Sequence, residues 1–287
     1  MPVVFVVIWS TGFIVARYGM PHAPPFSFLA LRYALSVACF LLWILVSKPS
    51  WPTHKSQYRH LAITGILIHA TYLGGVWAAV KLGMGAGLSA LLVSLQPILT
   101  AIWLSGRGQG VSGRQALGLL LGFIGLLLVL WGKLGLGEVT PVNLACVLTS
   151  LLAITTGTLY QKRYVQPCDV RTANLVQLSA AFTITAPLAL MEREPMRWML
   201  ATGGPNVELM GAMAWSVLGL TLGGSSLLYL LIQRGAATSV ASLFYLVPPV
   251  TAVMAWALFG ESITVMTGVG TALVALGVSF VVRQRAG

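Results

Sequence analysis

Acidic residues are scarce in this chain, and their scarcity argues against a water-soluble protein. Asp and Glu number six among 287 residues, and all charged residues together make up 8% of the sequence. Soluble domains average about 25% charged residues, so no segment here is expected to form one. Cysteine is equally scarce. Cys39, Cys146 and Cys168 are too few and too widely spaced to build a disulfide framework.

Several functional motifs are also missing. The sequence contains neither a P-loop signature for nucleotide phosphates nor a His-Glu-x-x-His metal motif. An intramembrane enzyme would need an activated nucleophile or an acid–base pair, yet the long hydrophobic stretches contain no Asp or Glu and a single histidine, His69. We therefore expect no metal site and no cofactor, and an intramembrane enzyme is a disfavoured alternative.

Hydrophobic sequence fills most of the chain instead, in ten segments. A helix rises about 1.5 Å per residue, so about 20 apolar residues cross the hydrocarbon layer of a bilayer. The sequence therefore predicts an all-α polytopic membrane protein with the lipid bilayer as its surroundings. The predicted spans are residues 3–19, 25–46, 61–80, 86–105, 114–132, 141–160, 171–190, 209–231, 238–259 and 264–282.

Charge is distributed unevenly between the gaps that separate these spans. Eleven of the 17 Lys and Arg residues lie in alternate gaps and tails, together with one acid, Asp169, whereas the other gaps hold five cations and five glutamates. By the positive-inside rule both termini are cytoplasmic, and the location is a bacterial inner membrane. The net charge of +11 thus reflects topology. Nucleic-acid binding is not expected, because the short loops form no soluble basic face.

An internal repeat divides the spans into two groups of five. Residues 86–104 and 237–255 match at seven of nineteen positions, including Pro97 with Pro248, and a glycine-rich break lies near residues 133–140. The predicted domains are residues 1–133 and 138–287. An odd number of spans per repeat makes the second copy enter the membrane from the opposite face, giving inverted five-helix repeats around a central cavity. This arrangement is common in secondary transporters.

Five short stretches carry a resemblance to a known family. They are residues 9–17 (WSTGFIVAR), 31–33 (LRY), 86–97 (AGLSALLVSLQP), 157–163 (GTLYQKR) and 259–262 (FGES). Together and in this order, they resemble the ten-helix EamA-type permeases of the drug/metabolite transporter superfamily, although Ser10-Thr11-Gly12 stands where that family often has Gly-Ser-Asn. The closest resemblance is to bacterial exporters of aromatic amino acids. It implies a small-molecule substrate of aromatic or apolar amino-acid type and no obligate protein partner, with another small metabolite or a drug as the alternative.

His69 and Tyr72 are the foremost candidates for substrate contact. His69 lies near the centre of its span, where a neutral imidazole donates one hydrogen bond and accepts another. Tyr72 follows three residues later on the same helix face. This surface suits a planar and partly apolar solute, and a hydrogen bond between helices is the alternative role of His69.

Arg32 is an arginine about two turns inside a predicted span, away from the span ends. A charged arginine in a membrane helix costs about 2.5–3.5 kcal/mol on insertion scales, so it needs a partner or water. We expect a structural charge, held by backbone carbonyls or lipid headgroups after snorkelling. Contact with a substrate carboxylate is the alternative.

Helix interruptions in equivalent positions of the two halves point to the remaining candidates. Proline removes a backbone donor, and small residues permit close packing, so simple kinks and packing are the alternative roles. The predicted gating breaks are Pro97, Pro248, Pro249, Gly12 and Gly157. The residues predicted to line the site beside His69 and Tyr72 are Trp9, Ser94, Gln96, Tyr160, Gln177, Ser225, Tyr229 and Tyr245.

The missing intramembrane carboxylate bears on the mechanism. Many carriers coupled to protons or sodium ions use such a group inside a helix. We therefore expect alternating access that is facilitative, driven by the substrate gradient, and proton coupling through His69 is the alternative.

Overall fold

The structure is a computed structural model that describes residues 2–105, 113–134, 137–227 and 246–282. In these ranges ten helices follow one another, one for each predicted span. They are α1 (Pro2–Gly19), α2 (Pro25–Ser47), α3 (Lys55–Lys81), α4 in two parts (Ala86–Val93 and Gln96–Ser105), α5 (Gly113–Leu134), α6 (Pro141–Tyr164), α7 (Val170–Met191), α8 (Val207–Ser225), α9 (Val247–Phe259) and α10 (Val265–Val282).

The helices have the length and surface of membrane-spanning segments. Helices α2, α3, α6, α7 and α8 are each long and apolar enough to cross a bilayer, and the other five contain apolar runs of 10–17 residues. Large apolar side chains such as Leu42, Trp131 and Leu190 are exposed on the outside. Such a surface would aggregate in water and is suited to lipid. The predicted all-α polytopic membrane fold is confirmed.

Contacts between helices follow the pattern of two inverted repeats. Equivalent helices meet in the pairs α2–α7, α4–α9 and α5–α10. Further contacts come in equivalent pairs. The contact α3–α6 corresponds to α8–α1, the contact α1–α9 corresponds to α6–α4, and the contact α3–α7 corresponds to α8–α2. Exchanging α1–α5 with α6–α10 leaves this set of pairs unchanged, as a two-fold axis requires. The domain limits 1–133 and 138–287 stay a prediction.

Glycines bring α5 and α10 together. A Cβ atom added to Gly125 would lie 2.6 Å from the carbonyl oxygen of Gly270, and one added to Gly277 would lie 2.5 Å from that of Gly118. Each helix thus presents two glycines, seven residues apart, to the other. Small residues allow such backbone contact between membrane helices, where van der Waals packing supplies much of the attraction.

Helices α3 and α8 each contain a π-helical segment. The segments are Ile66–Thr71 in α3 and Ser216–Ser225 in α8, which occupy equivalent places in the two repeats. In each one a threonine hydroxyl donates to the carbonyl five residues earlier, Thr71 to Ile66 at 3.0 Å and Thr221 to Ser216 at 2.8 Å. π-Helical turns are rare and occur frequently at functional sites.

Two of the predicted breaks are absent. Helices α1 and α6 continue through Gly12 and Gly157, so the prediction of interruptions there is wrong. A glycine keeps its backbone N–H and therefore weakens a helix without opening its hydrogen-bond ladder. Gly157 has a packing role instead, because a Cβ atom there would lie 2.8 Å from Cγ1 of Ile68 in α3.

The three prolines predicted to be gating breaks lie near the start of a helix or helical segment. Helix α4 is interrupted at Ser94–Leu95, and Pro97 is the second residue of its next part. Helix α9 begins at Val247 with Pro248 and Pro249 in its first turn, where the missing N–H groups have no helical partner to lose.

The loops define two faces of the bundle. One face, formed by loops 20–24, 82–85, 137–140, 192–206 and 260–264, contains Glu138, Glu192, Glu194 and Glu261, with Glu208 in the adjoining first turn of α8; we call it the carboxylate face. The opposite face includes loops 48–54 and 165–169, and we call it the basic face.

Candidate functional site

Arg32 on α2 reaches the π-helical segment of α8. Its Nε and Nη2 atoms donate to the hydroxyl oxygen of Thr221 at 3.2 and 3.1 Å. Arg32 is 6% exposed and Thr221 is 1% exposed, so the contact is buried between the repeats. Of the residues that the structure describes, Thr221 provides the acceptor for this guanidinium, in place of the backbone carbonyls or lipid headgroups expected from the sequence.

His69 occupies the π-helical segment of α3. Its side chain lies near the amide of Gln177 on α7 and near the guanidinium of Arg32. The Tyr33 hydroxyl donates to the His69 carbonyl oxygen at 2.7 Å. Tyr72 follows His69 by about one turn, is buried, and is also close enough to Arg32 for electrostatic interaction. These side chains form one cluster, to which we refer as the inter-repeat cluster: Arg32, Tyr33, His69, Tyr72, Gln177 and Thr221.

The two halves of this cluster occupy equivalent positions in the repeats. Arg32 is the eighth residue of α2 and Gln177 the eighth of α7, whereas His69 is the fifteenth of α3 and Thr221 the fifteenth of α8. The hydrogen-bonded pair of Arg32 and Thr221 is therefore related by the two-fold pseudosymmetry to the neighbouring pair of Gln177 and His69. The symmetry holds for positions and not for charge.

The other predicted site residues that the structure describes make contacts outside the inter-repeat cluster. Gln96 donates to the Thr158 hydroxyl at 3.0 Å and so joins α4 to α6. Trp9 packs against the core of the bundle. The hydroxyls of Ser94 and Ser225 donate to carbonyls of their own helices, at 2.6 Å to Leu91 and at 3.5 Å to Leu220. Tyr229 and Tyr245 lie outside the described residues.

Tyr160 lies at the basic face, away from the inter-repeat cluster. Its hydroxyl is 2.7 Å from Nδ1 of His60 on α3, and the His60 ring stacks on Tyr164 with centroids 5.3 Å apart. From the sequence His60 looks like an interfacial residue, and only the approach of α3 to α6 joins it to Tyr160.

A narrow cavity adjoins the two proline-containing helices. Leu91 and Ser94 of α4, Pro248 and Pro249 of α9, and Val274 of α10 line it, and the lining is mostly apolar. The cavity includes three predicted residues and none of the inter-repeat cluster.

The carboxylate face holds contacts that the sequence does not reveal. Glu261 accepts hydrogen bonds from the backbone N–H groups of Ala86 and Gly87, at 2.9 and 3.3 Å, and lies 4.0 Å from Nε of Arg17. Glu192 likewise accepts from the N–H groups of Phe26 and Ser27, at 3.0 and 2.7 Å. Both carboxylates cap a helix of the first repeat, where the helix dipole favours negative charge.

Two more glutamates of the second repeat pair with side chains of the first, one with a lysine and one with a histidine. Glu194 lies 2.8 Å from Nζ of Lys81, and Glu208 lies 2.9 Å from Nε2 of His22. Their side chains are 36% and 56% exposed, compared with 13% for Glu261. The capping contacts are therefore better shielded from solvent and salt than the pairs.

Hydrogen bonds of an uncharged side chain join the repeats at the basic face, beside a contact of the Arg171 guanidinium with the Trp43 ring. Gln57 on α3 donates to the Gln166 carbonyl oxygen at 2.7 Å and accepts from the Gln166 N–H at 3.2 Å. The acid on this side, Asp169, is bound within its own helix by Arg171, with Nη2 at 2.6 Å. This hydrogen bond lowers the pKa of Asp169 below its ordinary value.

The fold and the cluster together define a polytopic membrane protein with polar side chains gathered between two inverted repeats. The EamA-like transporter family model matches residues 2–131 and again residues 143–283. The chain belongs to this family, and it is a membrane transporter.

Individual relatives are distant and similar over nearly their full length. A probable amino-acid metabolite efflux pump of Salmonella typhimurium is 26% identical, covering 95% of this chain and 90% of its own. The protein of the same name from Escherichia coli is 25% identical with the same coverage. An uncharacterized transporter of Archaeoglobus fulgidus is 24% identical over 98% of this chain. One solved structure superposes over the whole chain and 97% of its own, with a TM-score of 0.66 and 16% identity, which supports the fold alone.

Proposed function

We propose that this transporter exports amino acids with aromatic or other apolar side chains. The observation that carries the proposal is the inter-repeat cluster, in which Gln177 and Tyr72 lie near His69 of a π-helical segment. An imidazole, a phenol and an amide offer hydrogen bonds without a negative charge, and two of them present flat rings. The relatives named as amino-acid metabolite efflux pumps support the same substrate class.

Substrate selection by such a site is broad. A planar side chain gains from stacking and apolar burial, with Trp9 as a further aromatic surface on α1. Contacts of this type separate similar substrates by about 1–3 kcal/mol. Several related amino acids are therefore transported, and catalysis is no part of the cycle.

Transport follows alternating access between the two repeats, residues 1–133 and 138–287. The break at Ser94–Leu95 in α4 and the proline start of α9 are the points at which these helices bend. The basic face is cytoplasmic and the carboxylate face periplasmic, in a bacterial inner membrane. Transport is facilitative, because all six acids lie at the two faces and none lies in a helix interior.

Counterflow of radiolabelled phenylalanine or tryptophan in proteoliposomes tests this function. We expect saturable uptake at a rate that does not change between pH 6 and pH 8, and at least tenfold slower uptake in His69→Ala and Tyr72→Ala. His54→Ala is the matched control, since His54 is exposed at the basic face. Absence of counterflow would exclude this substrate class, and a rate that follows an imposed pH gradient would show proton coupling.

A further inference from the structure

Arg32 is a buried cation for which the chain supplies no counter-charge. All six acidic residues lie in the described ranges, and none is within ion-pair distance of the guanidinium. Asp169 pairs with Arg171 at the basic face. The nearest polar partner of Arg32 is a neutral hydroxyl, that of Thr221. A buried charge that is solvated so sparsely is expensive and usually marks a functional position in a membrane helix.

With respect to the residues that the structure describes, the guanidinium keeps N–H donors for a second partner. It carries five N–H groups, and the contacts through Nε and Nη2 direct two of them to Thr221. No other described residue accepts from Arg32. A planar array of parallel N–H groups matches the two oxygens of a carboxylate, which it binds in a bidentate manner.

Its position places this donor within the inter-repeat cluster. Arg32 lies about two turns from the carboxylate-face end of α2, between the π-helical segments of α3 and α8. Its chain neighbour Tyr33 donates to the His69 carbonyl oxygen at 2.7 Å, and Tyr72 lies nearby. The residue equivalent to Arg32 in the second repeat is the neutral Gln177. Charge thus breaks the pseudosymmetry, and an anionic group has one preferred end of the cluster.

We infer that Arg32 binds the carboxylate group of the substrate, so that the substrates are organic acids or zwitterions and not amides or amines. The inference rests on the proposed function for the location of the site. The substrate carboxylate faces Arg32, and the apolar or aromatic part extends toward His69 and Tyr72. Thr221 is a positioning residue that fixes the guanidinium through its hydroxyl.

Matched acids and amides test the inference on the purified full-length protein. The ligands are phenylalanine with phenylalaninamide, and 3-phenylpropionate with 3-phenylpropanamide; affinities are measured by thermal-shift titration at pH 7. Amidation removes the negative charge and keeps the size of the ligand. We expect each acid to bind about tenfold or more tightly than its amide in the unaltered protein, the effect of one charged hydrogen-bond partner.

Variants assign this preference to Arg32. Arg32→Gln should reduce the ratio of acid to amide affinity to about one, and Arg32→Lys should retain part of it, because lysine keeps the charge and loses the planar donor array. Arg193→Gln is the control for loss of an exposed arginine on the carboxylate face. If Arg32→Gln fails to fold, the inference is still tested by comparing the unaltered protein with Arg32→Lys. A smaller ratio of acid to amide affinity in Arg32→Lys would support it, and an equal ratio would contradict it.

Each outcome separates this inference from the proposed function. Equal affinity for acid and amide, binding of neither, or an acid preference that Arg32→Gln leaves intact would overturn the role of Arg32. If phenylalanine counterflow persists in that case, amino-acid export stands without it. An acid preference that depends on Arg32, found without counterflow, would establish the carboxylate site and exclude amino-acid export.

Discussion

On the carboxylate face, four glutamates of the second repeat bind backbone or side-chain atoms of the first. On the basic face the described hydrogen bonds between the repeats involve no carboxylate, and Arg171 of α7 lies over the Trp43 ring of α2, 5.8 Å from its centroid. Glu261 and Glu192 cap helices α4 and α2. Gln57 and the His60–Tyr160 pair make the corresponding contacts on the other side. Charged hydrogen bonds are about twice as strong as neutral ones. The comparison indicates that the carboxylate face is closed more firmly in this conformation.

The difference follows from the charge distribution that sets the topology. The one acid in the described part of the basic face, Asp169, is already bound by Arg171 of its own helix, so it does not join the two repeats. Closure of the basic face must therefore use amides, aromatic rings and histidine. A transporter that obeys the positive-inside rule in this way has different closing chemistry at its two faces, although its helices are related by two-fold pseudosymmetry.

The largest expected effect is that of Glu261→Gln on closure of the carboxylate face. The variant loses the charge that binds two N–H groups at the start of α4. A hydrogen bond to a charged group contributes about 1.5–3 kcal/mol, so the open population should rise at least about tenfold. Pulsed electron paramagnetic resonance measures this with spin labels at Leu82→Cys and Val207→Cys, two exposed positions on different repeats, in a background without native cysteines.

Controls make this measurement specific. Arg193→Gln should leave the label distances unchanged, because Arg193 is exposed on the same face. Glu208→Gln should have a smaller effect than Glu261→Gln, since the Glu208 side chain is 56% exposed and the Glu261 side chain 13%. Equal effects of the two glutamates would contradict the view that shielded capping contacts hold this face closed.

A smaller effect is expected from Tyr160→Phe at the basic face. The variant loses the hydroxyl that contacts His60 and keeps the ring that packs against Tyr164. A neutral hydrogen bond contributes about 0.5–1.5 kcal/mol, so the open population of this face should rise about three- to tenfold. Labels at Ser56→Cys and Lys162→Cys report on it.

This variant also decides the role of Tyr160 in the site. Loss of substrate affinity without a change in label distances would favour the substrate contact predicted from the sequence. Altered distances with unchanged affinity would assign Tyr160 to closure of the basic face. Tyr58→Phe on the same helix as His60 provides a comparison for the loss of a phenol.

The sequence is sufficient to predict the ten helices, because each apolar segment and its flanking charges are local features. If the starts of α2 and α7 were known, counting from them would also identify Arg32 and Gln177 as equivalent residues of the two repeats. The π-helical segments and the contact of Tyr33 with the His69 carbonyl depend on how α2, α3 and α8 pack. The carboxylate caps were missed since Glu192 and Phe26 are 166 residues apart. Gly12 and Gly157 were misassigned because the same residue type permits both a break and close packing.

The smallest expected effect concerns Asp169, the acid of the basic face. It caps α7 and pairs with Arg171 of the same helix, so it should stabilise that helix without holding the repeats together. Asp169→Asn keeps a capping side chain and loses the ion pair, which is worth at most about 1 kcal/mol. The label distances at the basic face should stay unchanged.

The pH dependence of thermal stability tests whether the Asp169 carboxylate is the group that stabilises the protein. Because Arg171 lowers the pKa of Asp169, the stabilisation by the carboxylate is fully present above the unfolded-state value of about 3.9. It is lost as the pH falls through the lower folded-state pKa. The difference in melting temperature between the unaltered protein and Asp169→Asn should therefore be constant from pH 8 to pH 5 and shrink only below about pH 4. A difference that already decreases between pH 7 and pH 5 would show that another group, and not this carboxylate, is titrating.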